Sequence, residues 1–177
     1  MNETIKTLEV VNKMQTDGVI GKYAIGGAVG ALFYLEPIDT GDIDIFVSLK
    51  TNVGEIIDLS PIYSYLAKLG YGKFDKEGVI IEGWPVQFLP LADALDGEAL
   101  AQAIQTEVAG VPTWVLTAEH LVAKALQLGR GKDYLRILAF QERGCLDTAK
   151  LAGILSRHNL VEKMKQFEDK FGPDKKE

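Results

Sequence analysis

The sequence predicts an α/β fold in which a sheet is followed by a block of helices. Three observations predict it. Residues 23–47 read as a short apolar strand, a glycine turn, a brief helix and a second strand. Further extended runs come at 79–82, 85–89 and 107–117. From Thr117 onward the apolar residues recur at helical spacing, with capping residues and glycine stops between the helices.

Two aspartates, Asp42 and Asp44, open the second strand of this unit. Their spacing puts both carboxylates on one face of an extended segment, while Ile43 and Ile45 point to the opposite face and into a core. Neighbouring carboxylates repel each other unless a cation lies between them. Mg²⁺ prefers oxygen ligands and commonly combines one or two carboxylates with substrate phosphates. The pair therefore indicates a Mg²⁺ site, with Mn²⁺ as a substitute; the alternative is a capped turn at a solvated strand edge.

Gly26 and Gly27 end the first strand, at a point where a bulky side chain would keep the backbone away from a ligand. The stretch GGAVG lacks the G-x-G-x-x-G spacing of a dinucleotide fingerprint. The later stretch GRGKD is not a P-loop, because Leu126 stands where the first glycine is needed and Asp133 where Ser or Thr is needed.

A glycine pair that opens a helix, followed by Thr40 two residues ahead of a strand beginning Asp-x-Asp, resembles a known family. It is similar to the nucleotidyltransferase superfamily with the DNA polymerase β-like fold. Within that superfamily it looks most like the minimal nucleotidyltransferases that include the AbiEii-type toxins of type IV toxin–antitoxin systems. A second block supports the resemblance: LVAKALQLGRGKDYLRI at 121–137 has the Lys, Arg, Lys-Asp spacing found on helices of those proteins.

The resemblance implies a small mixed β-sheet with C-terminal helices packed against it. We expect residues 1–116 to form the α/β domain and residues 117–177 a helical segment of the same compact unit. It also implies metal-dependent transfer of a nucleoside monophosphate from an NTP to an acceptor hydroxyl on RNA, such as tRNA, or on protein. An antitoxin protein is the implied partner.

Matching the two blocks residue by residue gives the site that the resemblance implies. The metal ligands would be Asp42 and Asp44. The catalytic residues would be Asp42, Asp44, Lys132 and Asp133. Asp133 would orient a lysine or act on the acceptor. The nucleotide-binding residues would be Gly26, Gly27, Thr40, Lys124 and Arg130.

One position departs from the family pattern. The second strand of a hairpin commonly supplies a third carboxylate there, and this chain has Gln87 instead. If Gly83 and Trp84 form the hairpin turn, Glu82 lies diagonal to Gln87 on the same face and could substitute. Asp39 is another candidate for an acidic contact. The rival interpretation is a catalytically impaired module that binds nucleotide or a partner protein.

The composition, 47% hydrophobic and 25% charged over 177 residues, is ordinary for a globular protein. A net charge of −6 argues against a broad nucleic-acid footprint but leaves room for a local basic groove. The lone Cys145 agrees with a reducing compartment. The chain lacks a basic N-terminal segment before an apolar run and lacks a stretch of about 18 apolar residues, so we expect a cytoplasmic protein without a membrane partner.

Smaller expectations concern individual elements. Asn2 begins a helix whose buried stripe includes Leu8 and Val11. Asn159 opens the last helix with a capping box, and a charged tail follows Gly172. Neither histidine has a zinc partner at ligand spacing, so His120 and His158 are expected to be surface or capping residues. Residues 91–106 are expected to form a loop and then a helix whose buried side includes Ile104.

Overall fold

The computed structural model describes residues 2–36, 40–49 and 57–172. Its helices are α1 (Asn2–Thr16), α2 (Gly27–Ala31), α3 (Ser60–Lys68), α4 (Ala94–Ala101), α5 (Ala118–Leu128), α6 (Gly131–Arg143), α7 (Thr148–Arg157) and α8 (Val161–Phe171). Its strands are β1 (Tyr23–Ile25), β2 (Ile43–Val47), β3 (Phe74–Asp75), β4 (Gly78–Ile81), β5 (Trp84–Pro90), β6 (Ile104–Val108) and β7 (Val111–Val115). Asp39 and the tail beyond Gly172 lie outside the described residues.

The strands form one mixed sheet in the order β3-β4-β5-β2-β1-β7-β6. β2 runs parallel to β5 and antiparallel to β1, and β1 runs parallel to β7. The prediction of an α/β fold with a small mixed sheet and following helices is therefore confirmed. The long connection between β2 and β5 contains α3 and the β3–β4 hairpin, as a parallel pairing requires.

Two apolar clusters cover the two faces of the sheet. Ile43 and Ile45 belong to the cluster that includes Leu8, Val11 and Met14 of α1. Phe46 belongs to the cluster that includes α5, α6, α7 and α8. Since side chains alternate along β2, Asp44 lies on the face that the C-terminal helices cover. The sheet thus points the acidic pair towards α5 and α6.

The helices around that face begin and end where local sequence predicts. The hydroxyl of Thr117 accepts a hydrogen bond from the His120 amide and caps α5. Gly129, at φ 65°, ends α5 in the left-handed conformation. α6 then begins at Gly131, next to Arg130 as its N-cap residue. The predicted break between these helices is confirmed, and Leu128 at the end of α5 is 53% exposed.

The β4–β5 hairpin has a different register from the one expected. Its turn is Glu82-Gly83, with Ile81 paired to Trp84, so Ile80 pairs with Pro85 and not with Gln87. Both turn residues have positive φ, 51° and 95°, which suits the backbone twist of a two-residue hairpin. The prediction that Gly83 and Trp84 form the turn was therefore wrong by one residue.

Residues 104–115 form a hairpin, where a helix end and a single bent strand were expected. Ala109 and Gly110, at φ 49° and 84°, make the tight turn between β6 and β7. Ile104 starts the edge strand β6 and is 45% exposed, so its predicted burial was wrong.

The predicted capping box of the last helix was also wrong. Asn159 has φ 56°, and Leu160 is the N-cap residue, without a side-chain cap. Asn159 lies one residue before the N-cap position in a left-handed backbone conformation, so it does not start the helix as a capping residue.

Glu98 of α4 joins three elements through a charged network. It receives hydrogen bonds from Arg157 Nη2 at 2.6 Å and from Arg157 Nε at 3.2 Å, and it lies 2.7 Å from His158 Nε2. His120, fully buried in α5, lies between the Thr117 hydroxyl and Glu98. His120 was expected to be a surface or capping residue; its placement at the surface was wrong, because it is buried with a carboxylate distant in sequence as its partner. None of the helices in the described ranges has the length and apolar character needed to cross a membrane.

This network predicts a pH-dependent part of the stability. The Arg157 hydrogen bond, followed by those of the two histidines, lowers the pKa of Glu98 to about 2. Because the folded pKa lies below the ordinary value, Glu98 stabilises the fold at neutral pH and loses this effect as pH falls from about 4.5 towards 2. We expect Glu98→Gln to lower the free energy of unfolding at pH 7 by about 1–2 kcal/mol.

Urea unfolding at pH 7 and at acidic pH measures this effect. Glu162→Gln is the matched control, because Glu162 makes an exposed ion pair with Lys165 and such pairs contribute little. Equal effects of the two substitutions at pH 7 would contradict the stabilising role of Glu98.

Candidate functional site

A cavity of about 250 Å³ lies between the sheet face that carries Asp44 and the junction of α5 and α6. Both aspartates line it, together with four cationic side chains. The charged residues lining the cavity are Asp42, Asp44, Glu77, Lys124, Arg130, Lys132 and Arg136. The structure thus brings the two sequence blocks to one place, with acidic groups from the sheet and cationic groups from the helices.

The glycine pair fits tightly around Asp44. Gly27 has φ +55°, and a Cβ atom there would lie 1.9 Å from Asp44 Oδ2. The Gly26 amide donates to the Asp44 carbonyl oxygen at 2.9 Å, and a Cβ atom at Gly26 would lie 2.4 Å from the Phe46 ring. A larger residue at either position requires the Phe46 ring or the Asp44 carboxylate to move. Gly27 lines the cavity, whereas Gly26 is not part of its lining.

Asp44 is half-buried, and nearby charges of both signs act on its carboxylate. Burial, and then the nearby charge of Asp42, raise the pKa of Asp44 above its ordinary value of 3.8. The charges of Arg136, Lys132 and Arg130 act in the opposite direction and do not cancel the rise. A bound cation would offset the burial and the repulsion from Asp42 that disfavour the ionised Asp44 carboxylate.

A divalent metal fits these residues by the chemistry of its donors. Asp42 and Asp44 offer hard oxygen ligands on one face, and the bare backbone of Gly27 leaves the Asp44 carboxylate open to the cavity. No group of three or more metal-ligating His, Cys, Asp or Glu side chains occurs within residues 2–36, 40–49 and 57–172. Two carboxylates completed by substrate phosphates and water is the arrangement that Mg²⁺ commonly accepts.

Asp133 holds two arginines in place and does not itself line the cavity. It is fully buried, and it accepts hydrogen bonds from Arg130 Nε at 2.6 Å and from the Arg130 amide at 3.2 Å. Arg136 Nη1 lies 3.6 Å from the other carboxylate oxygen. The structure places Asp133 against arginines, whereas the sequence suggested that it orients a lysine or contacts the acceptor.

Lys124 lines the cavity but is engaged within the protein. Its ammonium lies 2.6 Å from Asp96 Oδ1 and donates to Gln127 Oε1 at 2.6 Å. Asp96 is 4% exposed, and among the described residues its Oδ1 has no hydrogen-bond partner of good geometry, so the Lys124 charge is its main compensation. Lys132, in contrast, is exposed at the start of α6.

A second cavity of about 370 Å³ adjoins the first and shares Ala28, Asp42, Lys132 and Arg136 with it. Thr40 lines this second cavity, and its hydroxyl donates to the Asp42 carbonyl oxygen at 3.1 Å. Thr40 therefore shapes the segment that delivers Asp42 to the start of β2.

Sequence reasoning missed two residues of the site. Arg136 follows Lys132 by four residues on α6, so helical spacing could have identified it as a neighbour on the same face. Glu77 lies in the β3–β4 turn, and no local pattern pointed to it. Its partner is Gln87, whose Nε2 donates to Glu77 Oε2 at 2.7 Å.

Gln87 stands where the sequence analysis expected it. The parallel register pairs it with Asp44, and both line the same cavity. Glu82 does not line either cavity of the site; it accepts a hydrogen bond from the Tyr71 hydroxyl and lies 3.7 Å from Lys6. The proposal that Glu82 takes the place of the third carboxylate was therefore wrong, because the hairpin turn carries it to the other end of β5.

No protein-family model and no curated protein sequence matches this chain. Among solved structures, it is similar to an antigenic nucleotidyltransferase-like protein from Paracoccidioides brasiliensis, with 14% identity, a TM-score of 0.54, and coverage of 94% of this chain and 90% of that chain. It also matches ANT(2")-Ia in complex with adenylyl-2"-tobramycin, with 18% identity, a TM-score of 0.48, and coverage of 85% and 98%. The first likeness shows that the chain has a nucleotidyltransferase-like fold.

The raised pKa of Asp44 predicts that the ionised carboxylate, which a cation site needs, lowers the stability of the fold. Because the folded pKa lies above the unfolded value of 3.8, ionised Asp44 destabilises the fold as pH rises through that interval. We expect Asp44→Asn, which keeps the shape and removes the charge, to raise the melting temperature at pH 7 by about 2 °C. Calorimetry in metal-free buffer measures it; a fall in melting temperature would contradict this assignment.

The close approach of Gly27 to Asp44 predicts coupled effects of substitution. Gly27→Ala places a methyl group against the Asp44 carboxylate at positive φ, so we expect it to lower the free energy of unfolding by about 2 kcal/mol or more. The loss should shrink in an Asp44→Ala background, where the nearest oxygen is removed. Gly41→Ala is the matched control, since a Cβ there meets nothing within 4 Å. Equal costs in both backgrounds would argue against the contact.

Proposed function

We propose that this protein is a metal-dependent nucleotidyltransferase that moves a nucleoside monophosphate from an NTP to an acceptor hydroxyl and releases pyrophosphate. The observation that carries the proposal is the contact between the bare backbone of Gly27 and the carboxylate of Asp44. Asp42 lies beside this contact, and Arg130, Lys132 and Arg136, here called the cationic wall, line the same cavity. Acidic ligands for a cation and basic ligands for phosphates occur in one cavity, which is what a metal–triphosphate substrate requires.

The cationic wall supports the binding of a triphosphate. Arg130 and Arg136 are aligned by the buried Asp133, so their guanidinium groups lose little further freedom when they bind an anion. Lys132, exposed between them in sequence, adds a third cation. Guanidinium groups held in this way suit the oxygens of a phosphate chain.

Each group of residues has a distinct part in the proposed reaction. Asp42 and Asp44 would hold Mg²⁺ or Mn²⁺, which when bound neutralises phosphate charge and favours in-line displacement. Arg130, Lys132 and Arg136 would bind and orient the triphosphate and stabilise the negative charge of the departing pyrophosphate. Catalysis of this kind depends on positioning and charge, with little covalent participation by the protein.

For the acceptor, we propose RNA, with tRNA as one candidate, or a protein hydroxyl. The second cavity, which shares Asp42, Lys132 and Arg136 with the first, offers room for an acceptor beside the triphosphate. The sequence resemblance to AbiEii-type proteins suggests use as a toxin controlled by an antitoxin, within the cytoplasm. Both the toxin role and the antitoxin partner belong to this proposal.

A second candidate function is a nucleotide-binding or protein-binding module that has lost the transfer reaction. The observation in its favour is the register of Gln87 with Asp44, which puts a neutral amide beside the acidic pair. An amide oxygen brings no negative charge, so the affinity for metal would fall. This candidate predicts binding of nucleotide without release of pyrophosphate.

Labelled NTPs distinguish the two candidates. We expect purified protein with Mg²⁺ or Mn²⁺ to transfer label from at least one of the four α-³²P-labelled NTPs to total RNA or to protein. Asp44→Asn should reduce transfer by at least about 100-fold, because the metal and its phosphates lose a charged ligand. Scintillation counting of the acid-insoluble fraction measures transfer.

The control for general damage is Glu107→Gln, an exposed carboxylate on the edge strand β6. Equal transfer by the parent and Asp44→Asn would contradict the proposed enzyme. Nucleotide binding that persists without metal, together with no transfer, would instead support the module.

A further inference from the structure

The proposed reaction needs a group that accepts the proton of the attacking hydroxyl. Such a group must line the cavity and must not be occupied as a cation ligand. Within the part of the chain that the structure describes, the cavity lining contains no histidine, cysteine or tyrosine. Its carboxylates are Asp42, Asp44 and Glu77. With the aspartates assigned to the cation, Glu77 is the remaining carboxylate in the lining.

We propose that Glu77, delivered by the β3–β4 turn and oriented by Gln87, is the proton acceptor of this site. The inference rests on the proposed nucleotidyl transfer and names a residue that neither the sequence motifs nor the comparisons assign. In the step, the acceptor oxygen forms a bond to the α-phosphorus and the bond from that phosphorus to the bridging oxygen breaks. Pyrophosphate leaves, and the hydroxyl proton passes to the Glu77 carboxylate.

The hairpin geometry explains how Glu77 reaches the site. β4 pairs with β5 through Val79 and Val86, so continuing that register by one residue places Gly78 opposite Gln87. The turn that begins at Lys76, with φ 53°, therefore ends directly beside Gln87. Glu77 is the residue of that turn that meets the Gln87 amide.

Gly78 packs closely against β5. It is buried, and a Cβ there would lie 3.0 Å from Pro85 Cβ and 3.1 Å from the Val86 amide nitrogen. Pro85 and Gln87 lie on the same face of β5 because they are two residues apart. A larger residue at position 78 would push the β3–β4 turn away from Gln87.

The Glu77–Gln87 pair also explains why an amide can stand beside Asp44. Gln87 Nε2 donates to Glu77 Oε2 at 2.7 Å, which leaves the second carboxylate oxygen, Oε1, able to accept a proton or a hydrogen bond. A carboxylate at position 87 would instead repel both Asp44 and Glu77. In this pair, the neutral Gln87 on β5 positions the charged Glu77 of the β3–β4 turn.

The experiment compares Glu77→Gln with Asp75→Asn under conditions in which the parent releases pyrophosphate from NTP with total RNA present. Asp75 is an exposed carboxylate of the same hairpin and does not line the cavity, so it is the matched control. We expect Glu77→Gln to lower kcat by about 100-fold and to leave binding of Mn²⁺–ATP within about threefold of the parent. Asp75→Asn should match the parent.

A further readout separates a proton acceptor from a structural residue. The double variant Glu77→Gln with Gln87→Glu keeps one carboxylate and one amide, with their positions exchanged. It should recover at least about tenfold of the lost rate if proximity of a carboxylate is what matters.

The outcomes are distinguishable. If Glu77→Gln turns over as fast as Asp75→Asn, the role of Glu77 is overturned while the transferase stands. If the parent binds Mn²⁺–ATP but releases no pyrophosphate, or binds no Mn²⁺–ATP and Asp44→Asn behaves identically, the proposed function fails and the role of Glu77 falls with it. Loss of rate with unchanged Mn²⁺–ATP binding, together with recovery of rate in the exchanged pair, supports the proposal.

Discussion

The contact between the Gly27 backbone and the Asp44 carboxylate is the constraint on which the site depends. It requires a residue without a side chain at φ +55°, and it fixes a half-buried charge beside a second carboxylate. A fold gains nothing in stability from this arrangement, because burial and repulsion both disfavour the ionised form. Sites that bind cations often retain such destabilising charges, and the cationic wall contributed by α6 is consistent with a substrate that carries both signs of charge.

The mixed sheet brings this contact and the cationic wall together. Parallel pairing of β2 with β5 sets Gln87 beside Asp44, and the β3–β4 turn then adds Glu77 from a hairpin inserted between them in sequence. On the opposite side, the glycine break between α5 and α6 starts α6 at the cavity, with Asp133 buried behind two arginines. Residues separated by about a hundred positions thus share one small cavity because of strand order and not because of any single motif.

Local sequence was sufficient for the features that depend on neighbours in the chain. The alternation of Asp42, Ile43 and Asp44 predicted which face each occupies, and Gly129 predicted the end of α5. It was insufficient where register or distant partners decide. A one-residue error in the position of the β4–β5 turn shifts the strand pairing by two residues, and this error placed Glu82 beside Gln87. Glu77 was missed because it lies in a separate turn, between β3 and β4. The burial of His120 depends on Glu98, which is 22 residues away.

Paramagnetic broadening of amide NMR signals by Mn²⁺ in the presence of ATP shows directly whether the paired carboxylates bind a cation. We expect strong broadening at Gly27 and at residues 42–44, weaker broadening at the start of α6, and loss of this broadening in Asp44→Asn. The contrary result is unbroadened signals at those positions with broadening elsewhere, for example at the apolar groove between α6, α7 and α8 that includes Leu151 and Met164. That result would mean that the paired carboxylates do not form the cation site.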